Sequence, residues 1–213
     1  DLKELSHLAP IFRELLKGSH ISRRDPELYS QLSTMQDSYR ALFKAQGFEL
    51  VCDSRGFYYF VPEQMGAQVN KTAQRLALFT FILVEHLADQ GRDPLAVLDG
   101  GSFGRDELPP LLDKYRELFQ QAEVNTQEEL EEKVMRRLTQ LGFAFDDNGS
   151  YRFLAPMHRF LDVCLSVQQD RDLAANLLSS ASLPSVPVVD ESSDEDELAQ
   201  AIAAEQAALE EQA

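Results

Sequence analysis

Residues 42–62 and residues 138–156 follow the same pattern, and this internal repeat constrains the fold more than any other feature of the chain. In each stretch a helical segment ends at a glycine, Gly47 or Gly142, which suits the left-handed residue that closes many helices. An apolar strand, a polar turn with a glycine, an aromatic strand and a final proline follow. The repeat therefore predicts two β-hairpins, each preceded by a helix.

The first half of the chain places three helical segments before its hairpin. Apolar residues recur at helical spacing over residues 5–16, and residues 25–28 predict a second helix, because an aspartate precedes a proline suited to the first helical position. Residues 34–37 are predicted to cap a third helix that runs to Gln46. Residues 20–22 are predicted to form a short strand between the first two helices. This order of elements is that of a winged-helix domain.

The second half repeats this order on a larger scale. Apolar residues over 76–87 predict one helix, a proline pair at 109–110 opens a second, and a capping box at 126–129 opens a third. Residues 157–178 are predicted to add one or two further helices. The predicted fold class is therefore mainly α with small β-hairpins (α+β), with tandem winged-helix domains, C-terminal helices and a disordered acidic tail.

These segments divide the chain into a first winged-helix domain, a second winged-helix domain, a C-terminal helical packing segment and a flexible acidic tail. Their predicted limits are residues 1–66, 67–156, 157–178 and 179–213. The tail has nine acidic residues and no basic one, and such a composition cannot build an apolar core. The whole chain carries a net charge of −16, which argues against a protein whose entire surface coats nucleic acid.

The sequence contains no set of residues that converges on a catalytic or metal site. Its four histidines are far apart and form no zinc-binding pair, and there is no Cys-x-x-Cys motif. The glycine-rich residues 100–104 lack the lysine of a phosphate-binding loop, so we interpret them as an ordinary loop. Cys52 and Cys164 are predicted to be buried small hydrophobic residues. We therefore expect no enzymatic activity, no cofactor and no metal.

The sequence also predicts where the protein acts. No apolar run approaches the roughly 20 residues that a membrane-spanning helix needs. The first residues do not resemble a secretory signal. We therefore expect a cytoplasmic protein without membrane contact.

Basic residues near the third helix and the hairpin are candidates for phosphate contact, because a winged-helix domain usually meets DNA with these elements. The candidates are Lys133, Arg136, Arg137 and Arg152 in the second half, and Arg23 and Arg24 before the second helix of the first half. The alternative is ordinary helix design, since acidic residues near the start of a helix and basic ones near its end offset the helix dipole. The sequence leaves both interpretations open.

The aromatic run at residues 57–60 is the candidate for a protein interface. Side chains alternate between the two faces of a strand, so we predict that Phe57 and Tyr59 pack on the helices. Tyr58 and Phe60 are then predicted to project outward, toward a second domain or a partner.

The first hairpin carries a resemblance to a known family. Residues 42–51 read Leu-Phe-Lys-Ala-Gln-Gly-Phe-Glu-Leu-Val, and residues 55–62 read Arg-Gly-Phe-Tyr-Tyr-Phe-Val-Pro. Together with the tandem halves, these motifs resemble MksE, the small MukE-like subunit of bacterial condensins of the MukBEF type. The resemblance covers residues 5–178 and leaves out the acidic tail.

The resemblance implies a tandem winged-helix adaptor that forms a homodimer and binds the kleisin subunit of a condensin. Through the kleisin it would associate with an SMC ATPase, and it would have no activity of its own. Such complexes organise and segregate chromosomes or act against plasmids, which implies association with the nucleoid. If family members touch DNA, contact is expected at Arg136, Arg137 and Arg152, and the net charge of −16 predicts weak binding.

A winged-helix transcription regulator is the alternative function. A regulator should bind one short duplex specifically through a basic third helix. An adaptor should bind duplex DNA weakly and a kleisin segment tightly. The few basic residues of the first half favour the adaptor.

Overall fold

The structure is a computed structural model that describes residues 5–62 and 71–167. The predicted boundary near residues 63–70 lies outside the described residues. So do the end of the predicted packing segment and the acidic tail, residues 179–213. The predicted domain limits therefore stay predictions.

Three helices and three strands make up residues 5–62. They are α1 (Leu8–Leu16), β1 (Ile21–Ser22), α2 (Pro26–Thr34), α3 (Gln36–Lys44), β2 (Phe48–Asp53) and β3 (Phe57–Pro62). Helix α1 buries Ile11 and Leu15, as its apolar spacing predicts. Thr34, which was predicted to cap the third helix, instead ends α2, and α3 begins two positions later at Gln36.

The three strands form an antiparallel sheet in the order β1-β3-β2. Ile21 stands opposite Tyr58, and Leu50 stands opposite Phe60. Gly56 closes the hairpin turn with a φ of +87°, a backbone conformation that favours glycine. Strand β3 is therefore central, and β2 is an outer edge of this sheet.

Residues 71–167 contain seven α-helices and three strands. They are α4 (Lys71–Asp89), α5 (Pro94–Leu98), β4 (Ser102–Gly104), α6 (Leu108–Lys114), α7 (Arg116–Gln121), α8 (Gln127–Leu130), α9 (Arg136–Gln140), β5 (Ala144–Asp147), β6 (Ser150–Phe153) and α10 (His158–Val167). A π-helical turn, Glu131–Met135, joins α8 to α9. Thr126 caps α8, because its side chain accepts a hydrogen bond from the Glu129 N–H at 3.2 Å. Across residues 5–62 and 71–167, every helix is too short or too polar for a bilayer crossing.

The second sheet has the order β4-β6-β5, which is the topology of the first sheet. Strand β4 lies within residues 100–104, so the prediction of an ordinary loop there is wrong. Phe103 is buried and stands opposite Tyr151 in the ladder. Glycine weakens a strand but does not prevent its backbone from pairing.

Two groups of buried apolar side chains hold the chain together, one within residues 5–60 and one within residues 73–161. Helix α10 packs on α4, and its Cys164 Sγ lies 3.7 Å from the Ala77 carbonyl oxygen. Burial raises the pKa of Cys164 to about 12, whereas Cys52 is only half-buried, so its predicted burial is wrong. The predicted α+β class is confirmed by this mixture of helices and small antiparallel sheets.

Candidate interaction surfaces

The predicted protein-interface residues, Tyr58 and Phe60, point into the protein. Their exposed fractions are 2% and 7%. The Phe60 ring lies 4.8 Å from the Phe43 ring of α3, and the Tyr58 hydroxyl donates to Gln36 Oε1 at 3.2 Å. The prediction that these two side chains project outward is therefore wrong.

The two faces of the hairpin are reversed relative to the prediction. Leu50 and Phe60 are cross-strand partners and share the face toward the helices, while Val51 and Tyr59 share the other face. Both pairs are apolar or aromatic, so sequence alternation alone could not decide which one faces the helices. Phe57 and Tyr59 instead lie on the side of the second half of the chain, where both rings contact the His20 ring.

His20 is the centre of the contact between the two halves. Its backbone N–H donates to the Leu141 carbonyl oxygen at 3.1 Å, and its Nδ1 lies 2.8 Å from the same oxygen. Arg159 Nη1 of α10 lies 2.6 Å from His20 Nε2. Since Arg159 can only donate, Nε2 is the acceptor and Nδ1 carries the proton that Leu141 accepts.

This arrangement keeps His20 neutral. Burial, with the Arg159 charge as a second cause, lowers the pKa of His20 to about 3. The Phe143 ring centroid lies only 4.4 Å from the His20 ring. The Arg159 guanidinium stacks 3.7 Å from the Tyr59 ring centroid, and burial lowers the pKa of Arg159 to about 10. No sequence pattern predicts this group, because its members come from distant segments.

Gly142 allows the close approach of the two halves. Its φ is +76°, and a Cβ built on it would lie 3.0 Å from the His20 carbonyl oxygen. Ser19 adds a further contact, with its hydroxyl donating to the Gln140 carbonyl oxygen at 3.4 Å. Gly142 therefore has a second role beside the predicted one of closing a helix, because it leaves room for the His20 backbone.

Two arginines of the first half also reach the second. The Arg24 guanidinium lies 3.7 Å from the Phe145 ring centroid of β5, a cation–π contact. Arg55 Nη2 lies 3.2 Å from Asp162 Oδ2 of α10. A cleft of about 480 Å³ lies beside the Arg24–Phe145 contact, with Arg24, Phe145 and Ser22 among its lining residues. Arg24, predicted as a phosphate contact, is thus engaged within the chain.

Three predicted phosphate contacts of the second half are paired with carboxylates of their own half. Lys133 Nζ lies 2.8 Å from Glu129, Arg136 Nη1 lies 3.7 Å from Glu132, and Arg152 Nε lies 2.6 Å from Asp147. Arg137 instead donates to the Gln140 side chain, with 2.9 Å between Nη1 and Oε1. Arg23, the remaining candidate, lies in the first half and is exposed before α2. These pairs reduce the positive potential at this surface. DNA contact by any of them remains a prediction.

The described surface holds large exposed apolar side chains that a partner could cover. Leu16 of α1, Leu95 of α5 and Leu165 of α10 are each about half exposed, at 48%, 51% and 52%. In residues 5–62 and 71–167, His, Cys, Asp and Glu side chains form no group of three that could hold a metal ion. The interaction candidates described so far are therefore the three exposed leucines and the cleft beside Arg24.

Family comparison decides what kind of protein this is. The chain matches the family model of the condensin complex protein MksE over residues 6–165. The chain belongs to the MksE family. The match covers both hairpins and the whole junction around His20, so it confirms the resemblance that the first hairpin predicts. A search of curated proteins finds no match. Membership of the MksE family makes the chain a subunit of a condensin complex.

Proposed function

We propose that this chain is the non-catalytic adaptor of its condensin, a homodimer that binds the kleisin subunit and, through it, an SMC ATPase. The observation that carries the proposal is the family match over residues 6–165, which includes both helix–hairpin halves. The fixed junction between the halves supports it, because an adaptor must present its surfaces in one constant arrangement.

Co-purification with a kleisin candidate tests the proposal. The full chain and the kleisin are produced together, and their complex is measured by size-exclusion chromatography with light scattering. We expect a stable complex of defined stoichiometry and a dimer of the chain in isolation. A monomer that binds no kleisin would contradict the proposal.

Exposed leucines provide the variants that locate the kleisin surface. Leu16→Glu, Leu95→Glu and Leu165→Glu each place a charge on a different helix without disturbing the core. A leucine at the centre of the interface should cost about 2 kcal/mol or more of binding free energy when it becomes charged. Gln121→Glu on α7 is the control, because it adds the same charge to an exposed polar position. All variants must keep the thermal stability of the wild type.

We propose weak DNA contact as a secondary property, through Arg136, Arg137 and Arg152. Their replacement by glutamine should lower affinity for any duplex alike and reduce the salt dependence of binding, because phosphate contacts carry no base information. Fluorescence anisotropy with two unrelated duplexes measures this. Tight binding to only one of the two would favour the transcription regulator, which no described geometry supports.

We propose that the complex acts in the cytoplasm at the nucleoid, in chromosome organisation and segregation or in defence against plasmids. Deletion of the gene distinguishes the two roles. Anucleate cells indicate the chromosomal role, and increased plasmid retention indicates the defence role. A fluorescent fusion that stays away from the nucleoid would contradict the location.

A further inference from the structure

The outer edge of β2 is a candidate site for backbone pairing. Among the described residues β2 pairs only with β3. The Leu50 carbonyl oxygen is turned toward α3, where it accepts a hydrogen bond from Arg40 Nε at 3.4 Å. In an antiparallel pair, the N–H and C=O of one residue point to the same side, so the Leu50 N–H also points away from β3. An exposed strand edge of this kind is a template for an added strand.

A cleft of about 480 Å³ lies between this edge and α3. It is lined by Arg40, Lys44, Glu49, Leu50, Val51 and Cys52. Arg40 and Lys44 are four positions apart on α3, so their side chains lie on the same face of the helix. Within the described part of the chain neither of them belongs to an ion pair, and both are exposed.

The charge of this cleft fits an acidic segment. Arg40 and Lys44 contribute two positive charges at the rim, against the single carboxylate of Glu49. Added strands gain affinity from main-chain hydrogen bonds and specificity from alternate side chains. An occupant should therefore combine β-branched residues with carboxylates.

The C-terminal part of this chain has that composition. Residues 186–197 read Val-Pro-Val-Val-Asp-Glu-Ser-Ser-Asp-Glu-Asp-Glu. Three valines favour an extended strand, and six carboxylates follow without a basic residue. Pro187 is compatible with an added strand, because proline is tolerated at a sheet edge when its nitrogen faces solvent.

The length of the chain permits this contact. Helix α10 ends at Val167, and 18 residues separate it from Val186. An extended chain of that length reaches about 60 Å. A folded unit of this size has a diameter of about 40 Å. The tether is longer than this diameter, so it permits residues 186–197 to reach surface far from the end of α10.

We propose that residues 186–197 dock in the cleft between α3 and β2 of the same chain, adding a strand to the β2 edge and placing carboxylates against Arg40 and Lys44. The tethered segment then occupies the edge unless a partner displaces it. This docking is independent of kleisin binding, so its failure leaves the proposed adaptor function untouched.

Amide hydrogen exchange in the full chain tests the docking directly. A docked strand accepts a hydrogen bond from the Leu50 N–H, so exchange at Leu50 should be slow in the wild type. In a variant with all six acids of residues 186–197 changed to their amides, exchange should be about tenfold faster, given millimolar effective concentrations for a tethered segment. The difference should shrink at high salt, because exposed charges are screened.

Matched controls separate docking from a general charge effect. Arg40→Gln with Lys44→Gln should accelerate Leu50 exchange as the tail variant does, while Arg23→Gln should leave it unchanged. Changing Glu205, Glu210 and Glu211 to glutamine should also leave it unchanged. Equal Leu50 exchange in the wild type and the two docking variants would overturn the proposal. Protection that disappears on dilution would also overturn it, because the occupant would then be a second copy.

Discussion

The two helix–hairpin repeats share a pattern and a strand order, yet their surroundings differ. A Cβ on Gly47 of the first repeat would have no atom within 4 Å, whereas one on Gly142 of the second would press on the His20 backbone. Among residues 5–62 and 71–167, strand β2 of the first hairpin pairs only with β3, so its other side is a sheet edge. The second is held at the junction, where Arg24 covers Phe145. A sequence repeat thus determines local structure, while the contacts that each copy makes with the rest of the chain differ.

The third helices of the two halves differ in the same way. In the second half a run of glutamates opens the helix, and Glu129 and Glu132 each pair with a cation four positions later. In the first half Arg40 and Lys44 of α3 line a cleft and form no ion pair within the described residues. The number of basic residues on a helix therefore does not show how many of them a ligand can reach.

Removing the phenylalanine after each helix-closing glycine should have the largest effect. Phe143 is fully buried against His20 and Phe160, whereas Phe48 is half-buried. We expect Phe143→Ala to lower the free energy of unfolding by about 3–5 kcal/mol and Phe48→Ala by about half as much. Urea denaturation at neutral pH measures both. Equal losses in the free energy of unfolding would mean that the junction does not stabilise the second repeat.

Alanine at the two helix-closing glycines should show a smaller difference. Gly47 and Gly142 have φ values of +82° and +76°, so alanine costs about 1–2 kcal/mol at either position. Gly142→Ala should cost about 1–2 kcal/mol more, because its Cβ meets the backbone of His20 at 3.0 Å. Thermal unfolding of the two variants provides the comparison. A Gly47→Ala loss as large as that of Gly142→Ala would contradict the role of close approach.

The repeats, the three helices ahead of the first hairpin and the α+β class could be predicted from the sequence, because glycine, proline and capping residues act locally. Ahead of the second hairpin the sequence predicts three helices, whereas the structure has six α-helices, α4 to α9. Strand β4 was missed, since glycines surround the single buried side chain of Phe103. The outward orientation of Tyr58 was wrong, because alternating strand residues were aromatic on both faces. Which face packs on the helices depends on the tertiary contact with His20.

The interaction surfaces were less predictable than the fold. The sequence shows which residues are basic but not which partners they contact. Arg24 stacks on the Phe145 ring, and Arg152 forms an ion pair with Asp147. Phe145 and Asp147 both lie on β5. Only Asp147 is close in sequence to the arginine that it contacts, so only that pair could be inferred from spacing. The His20–Arg159 pair joins residues from the two ends of the described chain. Contacts of that kind need the fold to be known first.

Acid should destabilise the junction between the halves through His20. His20 has a pKa of about 3 in the folded chain, below its usual value of about 6.5. The unfolded chain therefore binds more protons between these values, so stability is present above pH 6.5 and is lost as the pH falls toward 3. At pH 5 the loss from His20 should be about 2 kcal/mol.

The variant His20→Asn isolates this contribution. Burial also lowers the pKa of His86, so the wild type alone would combine two histidines. Denaturation at neutral pH and at pH 5 should give a smaller acid-induced loss for His20→Asn than for the wild type. An identical loss would contradict the assignment of a neutral, buried His20.

The smallest expected effect separates two neighbouring arginines. Arg23 and Arg24 are both exposed, and Arg24 stacks on the Phe145 ring with its guanidinium 3.7 Å from the ring centroid. Since a cation–π contact at a partly exposed site contributes about 0.5–1 kcal/mol, Arg24→Ala should destabilise the chain by that amount and Arg23→Ala by less than the error. Arg24→Lys should recover only part of the loss, because a planar guanidinium stacks on a ring more closely than an ammonium. If both alanine variants are as stable as the wild type, the Arg24–Phe145 contact does not stabilise the fold. The contrast between the two hairpins then rests on His20 and Gly142 alone.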